Sequence, residues 1–508
     1  MLFNSIEYLI FLFSIGVIYF ILPKNYQKYF LILSSVFFYA YYIFWHLFLL
    51  LAIVAVNYYY GLITEKQESP KRIFLIIIIL INVSVLFLFK YFNFFNLNLL
   101  KLAGFLGWNY PVSYLQILLP LGISFYMFKC ISYNIEVHRK NIRAVKRFDT
   151  FTLYIIIFPE LVAGPIDKPQ NLIPQLEIHH KYEYTRVTNG LKLIAWGLFQ
   201  KWVIADRLAE IVNQVYNTPR SYDGLAFFIA TVFFAIQIYC DFSAYSDIAI
   251  GTGEVLGFRL MKNFNRPYFA KSVPEFWRRW HISLSTWFRD YLFLPIAYKI
   301  FRVLKNKPFL KIKADYWSYS ISTIITMLTA GLWHGANWTF ILWGLILGIF
   351  LVFSIITKTI RNKLLKICKI KKFSSFHKLI SVCLTFLLIN FSWIFFRANS
   401  LNDALYIISH LFSGIFLYLK GAFINIIHLK IFDAVNPLFL SGNRLDMYLN
   451  LLFIIILFTV QLIQRKHEIT VLIANKPLIV RWALYLMLIL VILVFGKFES
   501  RQFIYMQF

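Results

Sequence analysis

Phe30-Leu-Ile-Leu-Ser-Ser-Val-Phe-Phe-Tyr-Ala-Tyr-Tyr-Ile-Phe-Trp-His-Leu-Phe-Leu-Leu-Leu-Ala-Ile-Val-Ala-Val-Asn-Tyr-Tyr-Tyr-Gly-Leu-Ile-Thr64 contains no Asp, Glu, Lys or Arg. A helix crosses the hydrocarbon core of a bilayer in ~20 residues, so this run is too long for a single span. Its length predicts two short helices that turn near Trp45. Lys28 precedes the run and the charged stretch from Glu65 to Arg72 follows it, so the chain returns to the side it left. Lys and Arg collect in cytoplasmic loops, which places that side in the cytoplasm.

The same pattern extends both ways along the chain. The first apolar run, Ile6 to Leu22, carries Glu7 but no Lys or Arg before it. A secretory signal needs a basic start and a small-residue cleavage site, so a retained helix with its N-terminus outside is expected. Further spans are predicted at Ile73–Lys90, Ile117–Val137, Phe151–Val162, Leu225–Ile250, Ser320–Trp333 and Thr339–Ile356. After a basic loop from Lys358 to Lys378 come Leu379–Phe396, Leu449–Gln464 and Trp482–Phe495. Several are too short to cross a full bilayer, and Gly122, Pro159, Gly164 and Pro165 interrupt their runs. Re-entrant or broken helices are therefore expected, which survive at membrane depth only when buried in protein or lining a wet cavity. About a dozen helices fit the pattern.

Composition agrees. Of 508 residues, 60% are hydrophobic, 20% aromatic and 15% charged, against roughly 25% charged in soluble domains. No composition shift divides the chain, so residues 1–508 are read as one multi-pass domain of an all-α polytopic membrane protein. The net charge is +28, but Lys and Arg lie in short loops between apolar runs, the signature of membrane orientation rather than nucleic-acid binding. Cys130, Cys240, Cys368 and Cys383 are scattered without a CxxC pair, so neither a disulfide framework nor a zinc site is predicted. His179-His180 likewise lacks metal-ligand spacing to other residues.

Ser272-Val-Pro-Glu275 reads as a capping box with Pro274 in the first turn. The helix it opens, about 273–291, places Phe276, Trp277, Trp280, Leu284, Trp287, Phe288 and Tyr291 at helical spacing, with Arg278, Arg279, Arg289 and Asp290 opposite. Aromatics against arginines describe an amphipathic helix at the membrane interface. Its Arg278 and Arg279 face either binds lipid phosphate or an anionic cofactor, or is a solvated anchor. His281 falls on the apolar stripe.

Polar groups inside apolar runs carry the functional information. In Gly331-Leu-Trp-His-Gly-Ala-Asn-Trp338, Gly331 and Gly335 are expected to clear one helix stripe, with His334 in the cleared turn beside Trp333, Asn337 and Trp338. An imidazole there is either a general base or a histidine satisfied by a neighbouring helix. In Gln237-Ile-Tyr-Cys-Asp-Phe-Ser-Ala-Tyr-Ser-Asp247, Gln237, Asp241 and Tyr245 share one helix face. Structural pairing or cavity lining competes there with a proton relay. The C-terminal motif Phe503-Ile-Tyr-Met-Gln-Phe508 follows the last span on the outer side. Tyr505 is either an interfacial anchor or a nucleophile needing a base such as His334.

Taken together, Leu119–Tyr126, Phe158–Pro165, Tyr239–Asp247, Asn263–Tyr268, Phe276–Ser285 and Trp333–Ala336 resemble the membrane-bound O-acyltransferase family, in its bacterial alginate O-acetylation branch. The resemblance covers most of the chain. It implies a ring of tilted helices around a thin centre with funnels on both faces, in a bacterial cytoplasmic membrane. It makes His334 the catalytic histidine and His281 the second active-site histidine, with Trp333, Asn337, Trp338, Asp241 and Tyr245 lining the site. Tyr505 matches a tyrosine that carries the acyl group in related envelope acyltransferases, although Met506 stands where a Phe is common. Cys240 and Ala244 also depart from the pattern without touching a reacting group.

The implied reaction takes an acyl group from acetyl-CoA or another thioester on the cytoplasmic side, with no bound cofactor and no metal. The implied partners are an extracytoplasmic SGNH-type transferase, a polysaccharide acceptor, membrane lipid and, as an option, a cytosolic acyl carrier. D-Alanyl transfer toward teichoic acid is the alternative within the family. Outside it, a proton-coupled transporter would also contain intramembrane Asp and His, but the inverted repeats common in transporters are not evident.

Overall fold

The apolar run from Phe30 divides as its length requires, into helices Lys24–Ala40 and His46–Glu65 with Trp45 exposed at the turn. The computed structural model describes the chain apart from residues 42, 306, 309–311, 368–373, 415–417, 419, 421–443, 466–468, 499–502 and 505–508. Among the described residues, 7 helices are long and apolar enough to cross a membrane: His46–Glu65, Arg72–Leu106, Gly224–Leu256, Trp338–Ile356, Ser375–Arg397, Arg444–Ile463 and Leu478–Phe495. Around them lie shorter helices, so the chain is an all-α polytopic membrane protein.

Local chemistry sets where the helices depart from the sequence-based bounds. The run expected to end at Lys90 continues to Leu106, because a π-helical stretch, Phe87–Tyr91, absorbs an extra residue and lets the helix pass. The span expected from Ile117 begins only at Ile123, after Gly122 at φ 69, since residues 108–120 are not helical. The helix Phe148–Ile156 breaks at Ile157 (ψ 119) before Phe158–Leu161. Pro159 has no N–H for the helical ladder, and its ring would strike the carbonyl four residues earlier.

One long helical rod was not anticipated. Tyr184–Leu198, the π stretch Phe199–Ala205 and Asp206–Asn217 run on from one another and pack along Gly224–Leu256. Lys192, Lys201, Asp206 and Arg207 dilute its hydropathy, yet Lys201 and Asp206 are buried and paired inside the protein. Gly224–Leu256 is itself buried for most of its length and is the central post of the structure.

The amphipathic helix expected over 273–291 is not continuous. It consists of Val273–Trp277, a left-handed break at His281 (φ 44), Ile282–Phe288, a π stretch Arg289–Phe293, and then Leu294–Val303. A neighbouring loop supplies the reason. The Asn265 N–H donates to the Arg279 carbonyl and the Ile282 N–H to the Asn263 carbonyl, both at 2.9 Å. The Asn263 amide oxygen also accepts from the Ser283 hydroxyl at 2.6 Å. Backbone groups that a helix would have paired are thereby satisfied elsewhere. The forward half of the capping box forms, with the Glu275 N–H donating to Ser272 Oγ at 3.3 Å, but the Glu275 carboxylate accepts from the Lys271 N–H at 3.0 Å. Phe276, Trp280, Leu284 and Trp287 are buried against the protein rather than spread over an interface.

Close helix approach is confined to particular positions. The expectation for Gly331 holds and that for Gly335 does not, because the helix Ala314–His334 ends before Gly335, which is extended. The counterpart of Gly331 is Gly344 on the returning helix Trp338–Ile356. A Cβ at Gly344 would lie 2.2 Å from the Met327 carbonyl oxygen and 3.2 Å from the Gly331 Cα. We predict that Gly344→Ala forces the hairpin apart and costs about 1–3 kcal/mol or more, seen as a lower thermal midpoint of the purified protein; an unchanged midpoint would show that the two helices have room to separate.

Candidate active site

The end of the helix Ala314–His334 is where the site begins. Gly335 turns the chain, and Asn337 caps the next helix by accepting from the Thr339 N–H at 3.1 Å. The last carbonyls of the first helix therefore lose their helical donors. Lys90, delivered by the π stretch Phe87–Tyr91, donates to the Trp333 carbonyl at 2.5 Å. A cation at the negative end of the helix is electrostatically favourable as well. His334 is thus the final residue of a helix whose end is held in place.

Both candidate histidines are buried and both lie against one indole. The His334 ring is 4.8 Å from the Trp333 ring, 5.0 Å from Trp343 and 5.2 Å from Phe396. The His281 ring is 5.9 Å from Trp333 and meets Phe242 edge-on at 4.5 Å. Phe128 stacks on Trp333 at 5.7 Å and on Trp287 at 4.1 Å, and the Trp287 indole donates to the Phe128 carbonyl at 3.0 Å. The result is a buried aromatic cluster that holds two imidazoles from different parts of the chain. Charge that develops in such a cluster is felt more strongly than in water, so one imidazole can take a proton while another donates to an oxyanion.

The structure sorts the remaining sequence-based candidates. Trp333 is central. Asn337 serves as a helix cap, and Trp338 does not join the cluster: it is 51% exposed and its indole donates to Asn98 Oδ1 at 3.0 Å. The cap starts a new helix whose first residue turns outward. Asp241 and Tyr245 belong to a second buried cluster. Asp241 pairs with Lys201 at 2.6 Å, and the Tyr245 hydroxyl accepts from the Ala163 N–H at 3.1 Å. Arg279 is engaged by Glu275 at 2.6 Å, while Arg278 is exposed. Tyr505 lies outside the described residues, but Phe503 and Ile504 before it reach the Asp241 cluster.

Lys90 and Lys201 are the two site residues that sequence reasoning missed. Lys90 lies inside the apolar helix Arg72–Leu106, and that costly placement was the available signal, whereas Lys201 lies in a rod whose other charges hid it. A cavity of about 760 Å³ is lined by Arg139, Lys168, Arg259, Glu136, Thr286 and Asp290. Thr286 sits on the short helix that starts after His281. Burial pushes the Asp290 carboxyl up, but Arg289 and Lys168 outweigh this and hold it below the ordinary carboxylate range.

Comparison with known proteins places this geometry in context. The model of the membrane-bound O-acyltransferase family, MBOAT, matches residues 74–389. The chain is similar to the probable alginate O-acetylase AlgI of Azotobacter vinelandii, 35% identical over 403 residues, covering 78% of this chain and 74% of that protein. It is also similar to the peptidoglycan O-acetyltransferase of Helicobacter pylori, 32% identical over 448 residues, covering 80% of this chain and 78% of the relative. The teichoic acid D-alanyltransferase of Bacillus subtilis is 28% identical over 229 residues, covering 44% of this chain and 56% of that protein.

Removal of the cation behind His334 has a local expected effect. Lys90→Met should raise amide exchange around Trp333 by about tenfold or more, the worth of one charge-assisted hydrogen bond, while Lys90→Arg largely preserves protection. Equal exchange in Lys90→Met and the parent protein, measured by mass spectrometry, would show that the helix end needs no cation.

Proposed function

The chain belongs to the membrane-bound O-acyltransferase family, and from that premise we propose that it carries an acetyl group from a cytosolic thioester toward a polysaccharide outside the cytoplasmic membrane. As an enzyme of this family it performs acyl transfer in the modification of cell-envelope polymers. The observation that supports the finer reading is the meeting of His334 and His281 at the Trp333 indole, in a buried aromatic cluster.

In this reading the donor is acetyl-CoA. Its phosphates suit the cations Arg139, Lys168 and Arg259 that line the cavity of about 760 Å³. His334 takes the proton of an attacking hydroxyl as that oxygen bonds to the thioester carbonyl carbon. His281 donates a hydrogen bond to the oxyanion that forms. When the tetrahedral centre collapses, the carbon–sulfur bond breaks and the thiolate takes up the proton.

The first acceptor is the Tyr505 hydroxyl. The resulting tyrosyl ester passes its acetyl group to an extracytoplasmic SGNH-type partner, and that partner acetylates a sugar hydroxyl. A donor in the cytosol is thereby joined to an acceptor outside. The relatives named for alginate and peptidoglycan O-acetylation cover more than three quarters of this chain, whereas the D-alanyltransferase covers under half. This balance favours acetyl over D-alanyl transfer.

Radiolabelled acetyl-CoA added to the purified protein in nanodiscs tests the reading. His334→Ala should lower thioester turnover by about 10²–10⁴-fold, the usual worth of a positioned general base. Tyr505→Phe should abolish protein-bound label. Turnover that survives the His334 change would remove His334 as the base, and full glycan acetylation by Tyr505→Phe in cells would remove the tyrosyl relay.

A further inference from the structure

A cation and two carboxylates are buried together where the rod Tyr184–Asn217 meets Gly224–Leu256. Lys201 Nζ is 2.6 Å from Asp241 Oδ1 and 2.9 Å from Asp206 Oδ1, and all three side chains are buried. Lys201 and Asp206 are five residues apart, which on an α-helix would turn them to different faces. The π stretch Phe199–Ala205 bonds i to i+5 and brings them to one face. The second oxygen of Asp241, Oδ2, accepts from the backbone N–H of Ile504 at 2.7 Å.

That bond is the innermost of a series along the C-terminal tail. After the helix Leu478–Phe495, the Lys497 N–H donates to the Trp202 carbonyl at 3.0 Å and its ammonium reaches Glu210 at 3.2 Å. Phe498 packs edge-on to Trp202 at 5.1 Å. Phe503 is buried, with its ring 4.5 Å from Lys201 Nζ and edge-on to Tyr245 at 5.0 Å. The tail therefore turns back into the protein, and its backbone donor finds a carboxylate where water is scarce.

We infer that Asp241 is a positioning residue, steadied by Lys201, that docks the C-terminal tail inside the protein and so fixes the point from which the chain after Ile504 departs. Phe242, the next residue, packs on His281 at 4.5 Å, so one turn of a rigid helix carries both the dock and a wall of the candidate site. The dock stands on these contacts. Its bearing on acyl transfer rests on the reading that Tyr505 accepts the acyl group.

The test is accessibility of the tail in the full-length protein in nanodiscs. Ile504→Cys is introduced in a background with Cys368→Ser and Cys383→Ser, and its rate of labelling by a membrane-impermeant maleimide is measured. Slow labelling is expected with Asp241 intact, and labelling at least about tenfold faster in Asp241→Ala, the loss of one charge-assisted hydrogen bond. Phe503→Ala removes the tail's ring contacts with Lys201 and Tyr245 but keeps all three charged side chains of the cluster, so it should also speed labelling even where Asp241→Ala does not fold. Asp206→Asn disturbs the same ion cluster and leaves the Asp241 carboxylate that accepts from the Ile504 N–H in place, so labelling should stay slow. Fast labelling of the parent, or equal rates in the parent and Phe503→Ala, overturns the dock. Should Tyr505→Phe prove silent in acyl transfer, the labelling result still decides whether the tail is docked.

Discussion

A charge placed at membrane depth has no water to fall back on, and the arrangement of this protein follows from finding each such charge a partner. Lys201 is shared between Asp206 and Asp241, and Lys129 meets Glu160 at 2.6 Å with both side chains buried. Desolvating either member alone costs several kcal/mol, and removing one partner of a buried pair typically costs 3–5 kcal/mol. Such pairs therefore fix which helix faces must meet. Lys129–Glu160 ties the helix Ile123–His138 to the broken turn at Pro159, and Lys201–Asp241 ties the unanticipated rod to the central post.

The same demand bears on two of the π-helical stretches, those that carry Lys90 and Lys201, whereas Arg289 in the third is exposed. Those at Phe87–Tyr91, Phe199–Ala205 and Arg289–Phe293 each carry charge: Lys90, Lys201, and the pair Arg289–Asp290. A π turn widens the helix and shifts the register of everything beyond it. In the first case this lets Lys90 reach a helix end on another segment, and in the second it lets Lys201 reach a carboxylate five residues on. Regular α-helices with the same sequences would direct these cations elsewhere.

This explains what sequence reading recovered and what it did not. The two helices around Trp45 were legible because span length and charged flanks are local properties. The burial of His334 among aromatic rings was legible because Gly331 and aromatics flank a polar residue within one short segment. The break at His281 was not, since the Asn263–Asn265 loop that satisfies its backbone is non-local. Lys90 resembled the end of an apolar run because a π turn has no sequence signature of its own. The rod Tyr184–Asn217 escaped for a related reason: its charges lower its hydropathy, and the partner that makes Lys201 tolerable lies forty residues away. The outward position of Trp338 was not legible, because the Asn337 cap reverses the chain within a turn.

The placement of Asp241 and Phe242 ties these features together. Consecutive residues on an α-helix are about 100° apart, so they face different neighbours. Asp241 faces Lys201 and the C-terminal tail, and Phe242 faces His281. The helix that bears them is buried on nearly every side and capped by Gly257 at φ 107, which leaves it little freedom to rotate. A rotation that improved one contact would degrade the other. The two buried clusters are therefore held in fixed relation by a single rigid element, and the geometry of the histidine cluster cannot be separated from where the end of the chain is anchored.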